Sequence, residues 1–369
     1  MPCSKNRVRE NGRRLVKTYG TPLAPRIEPL PQTTTRPLLS VMIPAYNYAH
    51  YMRGTLRSVL CQDPGPADMQ IEVVDDCSTR DDPEAVTREV GRGRVDFYRQ
   101  PRNLGIVGNF NDCIRRARGE WVHILHGDDL LRPGFYAHAR QAITAHPEIG
   151  AWACRVIYMD DGGHWSGLSE LETRRPQILC NDFIDRLFVE QRLYFVGLLV
   201  RRSIYERLGG FRPELKLCLD WDMWKRIALA TPIFYDPEPL ACFRLHPVSA
   251  YASSVRTGES VADERRAIGI AHTYVPSARA AQLRRAALKA AGIRAVRTAR
   301  QQWRLGYRAA ALRVVREGLR CSAAPGVLAR LLVSLPMAHR RQVSPVPAAD
   351  ASASVETDVS AELTPRAHA

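Results

Sequence analysis

Two pairs of adjacent aspartates follow short apolar segments in the first third of the chain. Asp75 and Asp76 follow one such segment, and Asp128 and Asp129 follow another, over residues 121–125. Adjacent carboxylates repel each other, and a divalent cation that also contacts an anionic substrate relieves this repulsion. The pattern therefore favours metal-assisted chemistry on a diphosphate. A plain Asp-Asp turn after a core strand is the alternative.

The segments around these acids alternate between strand and helix patterns. Strands are predicted over 39–43, 71–74, 95–98 and 121–125, and apolar residues three and four apart predict the helices between them. This β-α-β-α-β order indicates a doubly wound, largely parallel sheet, in which the carboxyl ends of the strands bind ligands at one edge. We therefore expect both aspartate pairs at that edge.

The second half of the chain combines strands and helices. A strand is predicted over 194–200, and Ser203 and Glu206 have the spacing of a capping box that opens a short helix. A helix with an acidic first turn begins at Asp220, where the helix dipole favours negative charge. Residues 275–341 are rich in Ala, Arg and Leu and have helical spacing.

The net charge of +15 is unevenly distributed. Residues 1–38 carry +6 and residues 275–341 carry +14, whereas 39–274 carry −2 and 342–369 carry −3. A nearly neutral body between basic segments indicates that catalysis and the positive charge serve different functions.

The cysteines and the lengths of the apolar segments indicate the cellular compartment of the protein. Nine cysteines occur without a C-x-x-C pair and in odd number, so we expect buried free thiols in a reducing cytoplasm. No apolar run reaches the roughly 18 residues of a membrane-spanning helix. The N-terminus lacks the apolar segment of a signal peptide, and we expect a soluble chain.

Seven short motifs occur in order between residues 39 and 250. They are Ile43-Pro-Ala-Tyr-Asn47, Val73-Val-Asp-Asp76, Arg102-Asn-Leu-Gly105, Leu125-His-Gly-Asp-Asp129, Leu208-Gly-Gly-Phe211, Asp220-Trp-Asp222 and Arg244-Leu-His246. Together they resemble a family 2 glycosyltransferase of the GT-A fold. The resemblance implies a mixed, Rossmann-like α/β sheet, here with a C-terminal helical extension. It also implies the inverting transfer of a sugar from a nucleotide-diphospho-sugar to an acceptor hydroxyl.

The resemblance places the donor site at the strand ends. Asp76 would bind the base, Asp128 the ribose, and Arg244 would close over the diphosphate. The expected donor-binding residues are Pro44, Tyr46, Asn47, Asp76, Asn103, Asp128 and Arg244.

The resemblance also assigns the metal and the base. Asp129 would bind Mn²⁺ or Mg²⁺ with His246 as a second ligand, and Asp220 would be the general base, although a helix cap is the alternative for Asp220. Asp222 is interpreted as the acid that compensates the helix dipole. The family often has Asp-x-Asp-Asp where this chain has His126 in the first acidic position, which speaks against a three-carboxylate site and leaves the effect on metal dependence open.

These inferences divide the chain into four parts. They are a flexible basic arm (1–38), a GT-A catalytic domain (39–255), a basic helical extension (256–341) and a disordered tail (342–369). Within the catalytic domain, residues 39–130 would bind the nucleotide-sugar, and 131–255 would hold the acceptor and the base. The Gln-x-x-Arg-Trp motif of processive synthases is absent, which favours transfer of a single sugar.

The expected partners are a nucleotide-sugar and a glycan or lipid-linked acceptor, and no nucleic acid is expected. Cell-surface polysaccharide or glycolipid synthesis is the role that the family suggests. The basic helices of 275–341 are expected to contact anionic membrane peripherally, unless they pack on the body with their Arg face solvated. The alternative functions are a non-catalytic basic protein that binds anionic membrane or nucleic acid, and a nucleotidyltransferase.

Overall fold

A computed structural model describes residues 24–31, 35–247 and 249–334. In this part of the chain the strands are β1 (Leu39–Ala45), β2 (Met69–Asp75), β3 (Asp96–Arg99), β4 (Trp121–Ile124), β5 (Leu130–Leu131), β6 (Ala151–Met159), β7 (Trp165–Leu168), β8 (Gln177–Ile178), β9 (Leu198–Arg201) and β10 (Ile233–Arg244). The helices of the same part are α1 (Ala49–Leu60), α2 (Pro83–Gly91), α3 (Gly105–Arg116), α4 (Phe135–Ala145), α5 (Asn181–Val189), α6 (Arg202–Leu208), α7 (Leu219–Ala230), α8 (Ala250–Thr257), α9 (Glu259–Ala271), α10 (Ser277–Arg304), α11 (Arg308–Cys321) and α12 (Pro325–Ser334).

The strands form one mixed sheet in the order β3-β2-β1-β4-β9-β6-β10-β5. The first four strands are parallel, β9 is antiparallel to both β4 and β6, and β6 is parallel to β10. The predicted doubly wound α/β sheet is therefore confirmed. Because β1, β2 and β4 are parallel neighbours, their carboxyl ends, and the two aspartate pairs, lie along one edge of the sheet.

Both faces of the sheet are covered by helices, which explains the apolar strands. Every residue of β1 is buried, as expected of a parallel strand between two layers. Met42 packs into one core cluster with the helices α3 and α7, whereas Val41 and Ile43 pack into the other with α1 and α4. The alternation follows from the twofold side-chain period of a strand.

The C-terminal helices are part of the same structure. Ala287, Ala291 and Ala295 of α10 are buried in the core cluster that also contains α3 and α7. A Cβ on Gly318 of α11 would lie 2.6 Å from the Cβ of Ala295, so glycine permits the close approach of these two helices. The predicted boundary at residue 255 falls inside α8.

Part of the predicted N-terminal arm packs on the body. Ile27 is fully buried, the backbone N–H of Gly210 donates to the carbonyl oxygen of Pro25 at 2.7 Å, and Nη2 of Arg202 donates to that of Glu28 at 3.1 Å. Residues 24–31 therefore differ from the expectation of a free arm. Residues 1–23 and 32–34, and the predicted disordered tail over 342–369, lie outside the described residues.

Two local predictions in the second half differ from the structure. Residues 194–200 were predicted as one strand, but Phe195–Gly197 form a 3₁₀ turn before β9, because the ring of Phe195 turns into the core against Phe110 and Trp224. Helix α6 begins at Arg202 without a side-chain cap. The carboxylate of Glu206 instead lies 3.2 Å from Nε of Arg202, so the predicted capping box does not form.

Seven cysteines of the described part are free thiols, as expected. Four of these seven are buried, and the set is Cys61, Cys77, Cys113, Cys154, Cys218, Cys242 and Cys321. No helix in the described ranges is both long and apolar enough to cross a bilayer.

Candidate metal and active site

The turn after β4 is fixed by buried contacts to its backbone. The hydroxyl of Thr55 lies 2.9 Å from the carbonyl oxygen of Gly127 and 2.8 Å from that of Asp129. A Cβ on Gly127 would lie 3.2 Å from Cγ of Met52 and 3.6 Å from the carbonyl oxygen of Pro44. The end of β1 and helix α1 therefore position the acidic turn, and a larger residue at 127 would displace it.

The two carboxylates of this turn have different partners. Nε2 of His246 donates to Oδ2 of Asp128 at 2.9 Å, and the backbone N–H of Arg244 donates to Oδ1 of Asp129 at 2.9 Å. Oδ2 of Asp129 is buried and has no hydrogen-bond partner among the described residues. An anionic oxygen left in this state is costly unless a cation approaches it.

The surroundings separate the pKa values of the two carboxyls. Burial raises the pKa of Asp129 well above its ordinary value, and the charge of Asp128 raises it further. Burial alone would also raise the pKa of Asp128, but the hydrogen bond from His246 and the nearby His126 hold it below its ordinary value. Asp129 is therefore the group whose ionised form most needs a cation.

His126 completes the cluster. Ligand atoms of His126, Asp128 and Asp129 lie within 4.8 Å of one another, and Nε2 of His126 is buried without a partner among the described residues. Burial lowers the pKa of His126, so its ring is neutral at neutral pH, the form that binds a metal. Rings of Phe110 and Phe195 lie 5.2 and 4.9 Å from the imidazole and hold its orientation.

The donor set fits a divalent cation. One neutral imidazole nitrogen and two carboxylates are ligands that suit Mn²⁺, and the carboxylates alone suit Mg²⁺. The two unpartnered buried atoms, Nε2 of His126 and Oδ2 of Asp129, are the observation that supports this fit. His246 contacts the cluster through Asp128.

The side chain of Arg244 connects the acidic turn to the β6–β7 hairpin. Its Nε donates to the carbonyl oxygen of Asp128 at 2.8 Å, and its Nη1 donates to the carbonyl oxygens of Asp160 and Asp161 at 3.2 and 2.8 Å. The guanidinium lies 4.9 Å from the ring centre of Tyr51, whose hydroxyl donates to Asp161. Arg244 therefore holds the hairpin next to the cluster in this structure.

A second group of predicted residues lies at the end of β2. The backbone N–H of Leu104 donates to Oδ1 of Asp76 at 2.7 Å, and Nδ2 of Asn103 donates to the carbonyl oxygen of Asp76 at 3.1 Å. Burial raises the pKa of Asp76, and the hydrogen bonds from Leu104 and Gly105 partly offset this. The structure therefore brings Asp76 and Asn103 together.

Asn47 connects the ends of β1 and β2. It adopts a left-handed backbone conformation with φ of 58°, which asparagine tolerates better than most residues. Its side-chain oxygen accepts from the backbone N–H groups of Thr79 and Arg80, each at 3.0 Å. Tyr46, the preceding residue, is 41% exposed.

Asp220 lies at the start of α7. Nε2 of Gln191 donates to its Oδ2 at 2.7 Å, and the backbone N–H of Trp221 donates to its Oδ1 at 2.6 Å. Burial raises the pKa of Asp220 to about 7, although these hydrogen bonds and the charge of Lys225 act in the opposite direction. A carboxyl with a pKa near neutrality is suited to accept a proton.

The neighbouring Asp222 has a structural role. It is fully buried, and its Oδ2 accepts from Nε of Arg226 at 2.9 Å while its Oδ1 accepts from the hydroxyl of Tyr274 at 2.6 Å. The C-terminal extension thus helps to fix the first turn of α7. Asp263 of α9 adds to this by accepting the backbone N–H groups of Leu217 and Cys218, each at 2.9 Å.

Only some of the predicted site residues are connected to one another by hydrogen bonds. Asp128, Asp129, Arg244 and His246 are joined by hydrogen bonds, whereas no hydrogen bond or ion pair between described residues joins Asp220 to them. His126 was predicted only as a departure from the family pattern, and Thr55 was not predicted as part of the site. A polar residue on the apolar face of α1 was the available signal for Thr55.

Comparisons with known proteins bear on the family and the fold of the chain. Residues 40–209 match the model of "Glycosyl transferase family 2". An uncharacterized protein of Mycobacterium tuberculosis is 29% identical over 244 residues, which cover 63% of this chain and 74% of the relative. An uncharacterized glycosyltransferase of Rickettsia typhi is 27% identical over 220 residues, covering 58% of this chain and 66% of the relative.

Solved structures show the fold. The crystal structure of S. aureus TarS 1-349 in complex with UDP-GlcNAc has a TM-score of 0.55 and 17% identity, covering 77% of this chain and 90% of that chain. The fold is therefore that of the GT-A glycosyltransferases, followed by a C-terminal helical region. Residues 40–209 therefore resemble glycosyltransferase family 2, and the resemblance predicted from the sequence motifs is confirmed.

Proposed function

We propose that this protein transfers one sugar from a nucleotide-diphospho-sugar to an acceptor hydroxyl, with metal assistance and with inversion at the anomeric carbon. One observation carries the proposal. In a domain that matches family 2, the His126–Asp128–Asp129 cluster lies at the carboxyl end of β4 with a buried carboxylate oxygen that lacks a hydrogen-bond partner among the described residues. A cation held there would neutralise charge on the nucleoside diphosphate leaving group.

The donor would bind along the edge formed by the ends of β1, β2 and β4. Asp76, held by Leu104, is proposed to bind the base with Asn103 supporting it, and Pro44, Tyr46 and Asn47 are proposed to line the nucleotide pocket, as the family motifs imply. TarS, a fold neighbour, has been crystallised with UDP-GlcNAc and with UDP, which makes uridine nucleotides the first donors to test.

The acidic turn would bind the rest of the donor. Asp128 is proposed to bind the ribose, and Asp129 with His126 is proposed to hold Mn²⁺ or Mg²⁺. Nε2 of His246 bonds to Asp128, which favours a positioning role for this histidine. Its Nδ1 is buried and has no hydrogen-bond partner among the described residues. A role of His246 as a second metal ligand is therefore also to be tested. Nη2 of Arg244, which donates no hydrogen bond within the described ranges, is proposed to approach the diphosphate, while Nε and Nη1 keep the hairpin in place.

Asp220 is proposed to be the general base. Its carboxyl would take the proton of the acceptor hydroxyl as the oxygen attacks the anomeric carbon and the bond to the diphosphate breaks. Gln191 holds the carboxyl in place through Oδ2, and the pKa of about 7 lets it accept a proton at neutral pH. A single base remote from the leaving-group site suits one displacement, and one displacement inverts the configuration.

The biological setting is also a proposal. We infer a cytoplasmic enzyme of cell-surface polysaccharide or glycolipid synthesis, in peripheral contact with the inner face of the membrane, with residues 39–130 binding the donor and 131–255 the acceptor. The family 2 domain argues against the two alternatives, a nucleotidyltransferase and a non-catalytic basic protein.

A panel of nucleotide sugars tests the proposed activity without a known acceptor. The full chain is incubated with each donor and Mn²⁺, and release of the nucleoside diphosphate by slow hydrolysis is measured. We expect one donor to be consumed in preference to the others, and the Asp129→Asn variant to be inactive on it. The anomeric configuration of the released sugar, followed by NMR, must be opposite to that of the donor, and retention would exclude the proposed single displacement.

A further inference from the structure

We propose that the outer face of α11, defined by Arg308, Leu312, Arg316 and Leu319, binds the surface of an anionic membrane. The proposal is independent of the proposed activity because none of these residues belongs to the candidate site. Residues four, eight and eleven positions after Arg308 project on one side of a helix, and all four are exposed.

The opposite side of α11 explains why this face is outside. Ala310, Ala311, Val314, Gly318 and Cys321 are the buried residues of the helix. Of these, Ala311, Val314 and Cys321 pack into the core cluster that contains residues of α10 and of the body. The predicted alternative, in which the basic helices pack on the body, thus holds for the small residues of α11. It does not account for large apolar residues on the solvent side.

The apolar part of this face is unusual for a solvated surface. Leu312 is 60% exposed and Leu319 is 38% exposed. Two more apolar residues, Leu305 and Tyr307, lie in the turn before α11 and are 60% and 50% exposed. Exposed apolar groups concentrated at one place mark interaction sites rather than ordinary surface.

The charged part of this face is uncompensated. Among the described residues, Arg308 and Arg316 of this face form no ion pair, and neither does Arg304, the last residue of α10. Arg308 packs over the ring of Trp303, 5.4 Å from its centre. Arg320, by contrast, pairs with Glu317. Free arginines beside exposed leucines match an interfacial helix, which attracts anionic headgroups and inserts its apolar side chains between them.

The chemistry of the face distinguishes a bilayer from other partners. A nucleic acid binds arginines through its phosphates and aromatic rings through base stacking, but it has no apolar surface for the leucines. A second copy of this chain docking through the same face would bring its arginines against one another, since a twofold interface is self-complementary. A bilayer with anionic lipids satisfies both the arginines and the leucines.

Vesicle flotation of the full chain tests the proposal. The vesicles contain either phosphatidylcholine alone or phosphatidylcholine with phosphatidylglycerol in equal parts. Point variants are preferred to a truncation after Tyr274, because removing α10 would expose the core that Ala287 and Ala291 help to fill. We expect the unmodified chain to float with the anionic vesicles at low salt and to be released at high salt.

Two variants and two matched controls separate charge from apolar contact. The triple variant Arg304→Gln, Arg308→Gln and Arg316→Gln should bind anionic vesicles about a hundredfold more weakly. Its control is the triple variant Arg57→Gln, Arg88→Gln and Arg118→Gln, which removes the same charge from other exposed positions. The control should weaken binding far less. The pair Leu312→Ser and Leu319→Ser should weaken binding about tenfold or more. The exposed pair Leu168→Ser and Leu171→Ser is its control.

The outcomes that overturn the proposal are distinct. Failure of the unmodified chain to float with anionic vesicles refutes membrane binding. Flotation that survives the leucine changes shows a purely electrostatic surface, and competition by RNA would then identify a polyanion site. Light scattering that reports a dimer lost in the leucine variants would assign the face to self-association instead. Thermal unfolding of each variant confirms that the fold is retained.

Discussion

Nε2 of His246 lies 2.9 Å from Oδ2 of Asp128, whereas Oδ2 of the adjacent Asp129 has no hydrogen-bond partner among the described residues and lies 3.9 Å from Nδ1 of His126. His246, just after β10, thus fixes the carboxylate of Asp128, whereas the carboxylate of Asp129 can bind a cation. The two adjacent acids therefore differ in pKa direction, in agreement with the different roles that are proposed for them.

The hydrogen bond between His246 and Asp128 should increase the affinity for the nucleotide donor. We expect His246→Ala to weaken nucleoside diphosphate affinity about tenfold or more, as loss of a supporting hydrogen bond does around metal sites. The matched control is His138→Ala, because Nδ1 of His138 lies 2.8 Å from a carboxylate oxygen of Asp236 without being part of the cluster. Equal affinity in the two variants would contradict the role of His246.

Asp129 should reduce stability in the absence of metal. Its folded pKa is raised above the unfolded value, so the ionised carboxyl destabilises the fold at neutral pH, and this cost disappears as the pH falls below about 4. Asp129→Asn should therefore unfold at the same or a higher temperature at pH 7 in metal-free buffer. Mn²⁺ should raise the melting temperature of the unmodified protein only. A variant that melts several degrees lower without metal would contradict this account.

Asp220 should set the pH dependence of turnover. As a base with a pKa of about 7, it is active when deprotonated, so kcat should rise tenfold per pH unit below 7 and level off above it. Asp220→Asn should lower kcat about a hundredfold or more and leave donor affinity nearly unchanged.

Asp222→Asn is the control for Asp220, because Asp222 is bonded to Arg226 and Tyr274 inside the core. This variant should lose stability, which thermal unfolding measures. Normal turnover in Asp220→Asn would refute the base, and equal kinetic losses in the two variants without a loss of stability would leave the base unassigned.

Lys225 should destabilise the fold below neutral pH. Burial lowers its pKa from 10.5 to about 7, and Nζ lies over the ring of Trp221 without a hydrogen-bond partner among the described residues. The unfolded chain binds more protons between these values, so stability rises with pH from about 7 to about 10.5.

Lys225→Met should stabilise the protein by a few kcal/mol at or below pH 7 and by little near pH 10. Because the charge of Lys225 lowers the pKa of Asp220, the variant should also shift the pH profile of kcat upward. Lys289→Met, on the exposed side of α10, should do neither. An unchanged pH profile in Lys225→Met would show that the two groups do not interact.

The parts of the site that follow from strand ends were predictable from the sequence. Asp76 and Asp128 come within three residues of short apolar segments that are typical of buried strands, and the parallel order of those strands places them at one edge. The position of these acids at one edge of the sheet could therefore be predicted from the sequence alone. The family motifs supplied their expected roles.

The contacts between distant segments were not predictable. The bonds of Thr55 to the acidic turn and of Tyr274 to Asp222 join residues 72 to 74 and 52 positions apart, and no local pattern encodes them. The 3₁₀ turn at Phe195 replaced a predicted strand because its ring packs against Phe110, which is a tertiary effect. The exposed strand β7 has no apolar alternation, so it gave no strand signal.

Calorimetric titration with nucleoside diphosphates tests the central claim most directly. Uridine, guanosine, adenosine, cytidine and thymidine diphosphates are each titrated into the full chain with Mn²⁺, with Mg²⁺ and with a chelator. The account predicts that at least one binds only when the metal is present, and that Asp129→Asn abolishes this binding while its melting temperature is maintained. Binding of none of them with either metal, or metal-dependent binding that is unchanged in Asp129→Asn, would contradict a metal-assisted nucleotide-sugar site at this cluster.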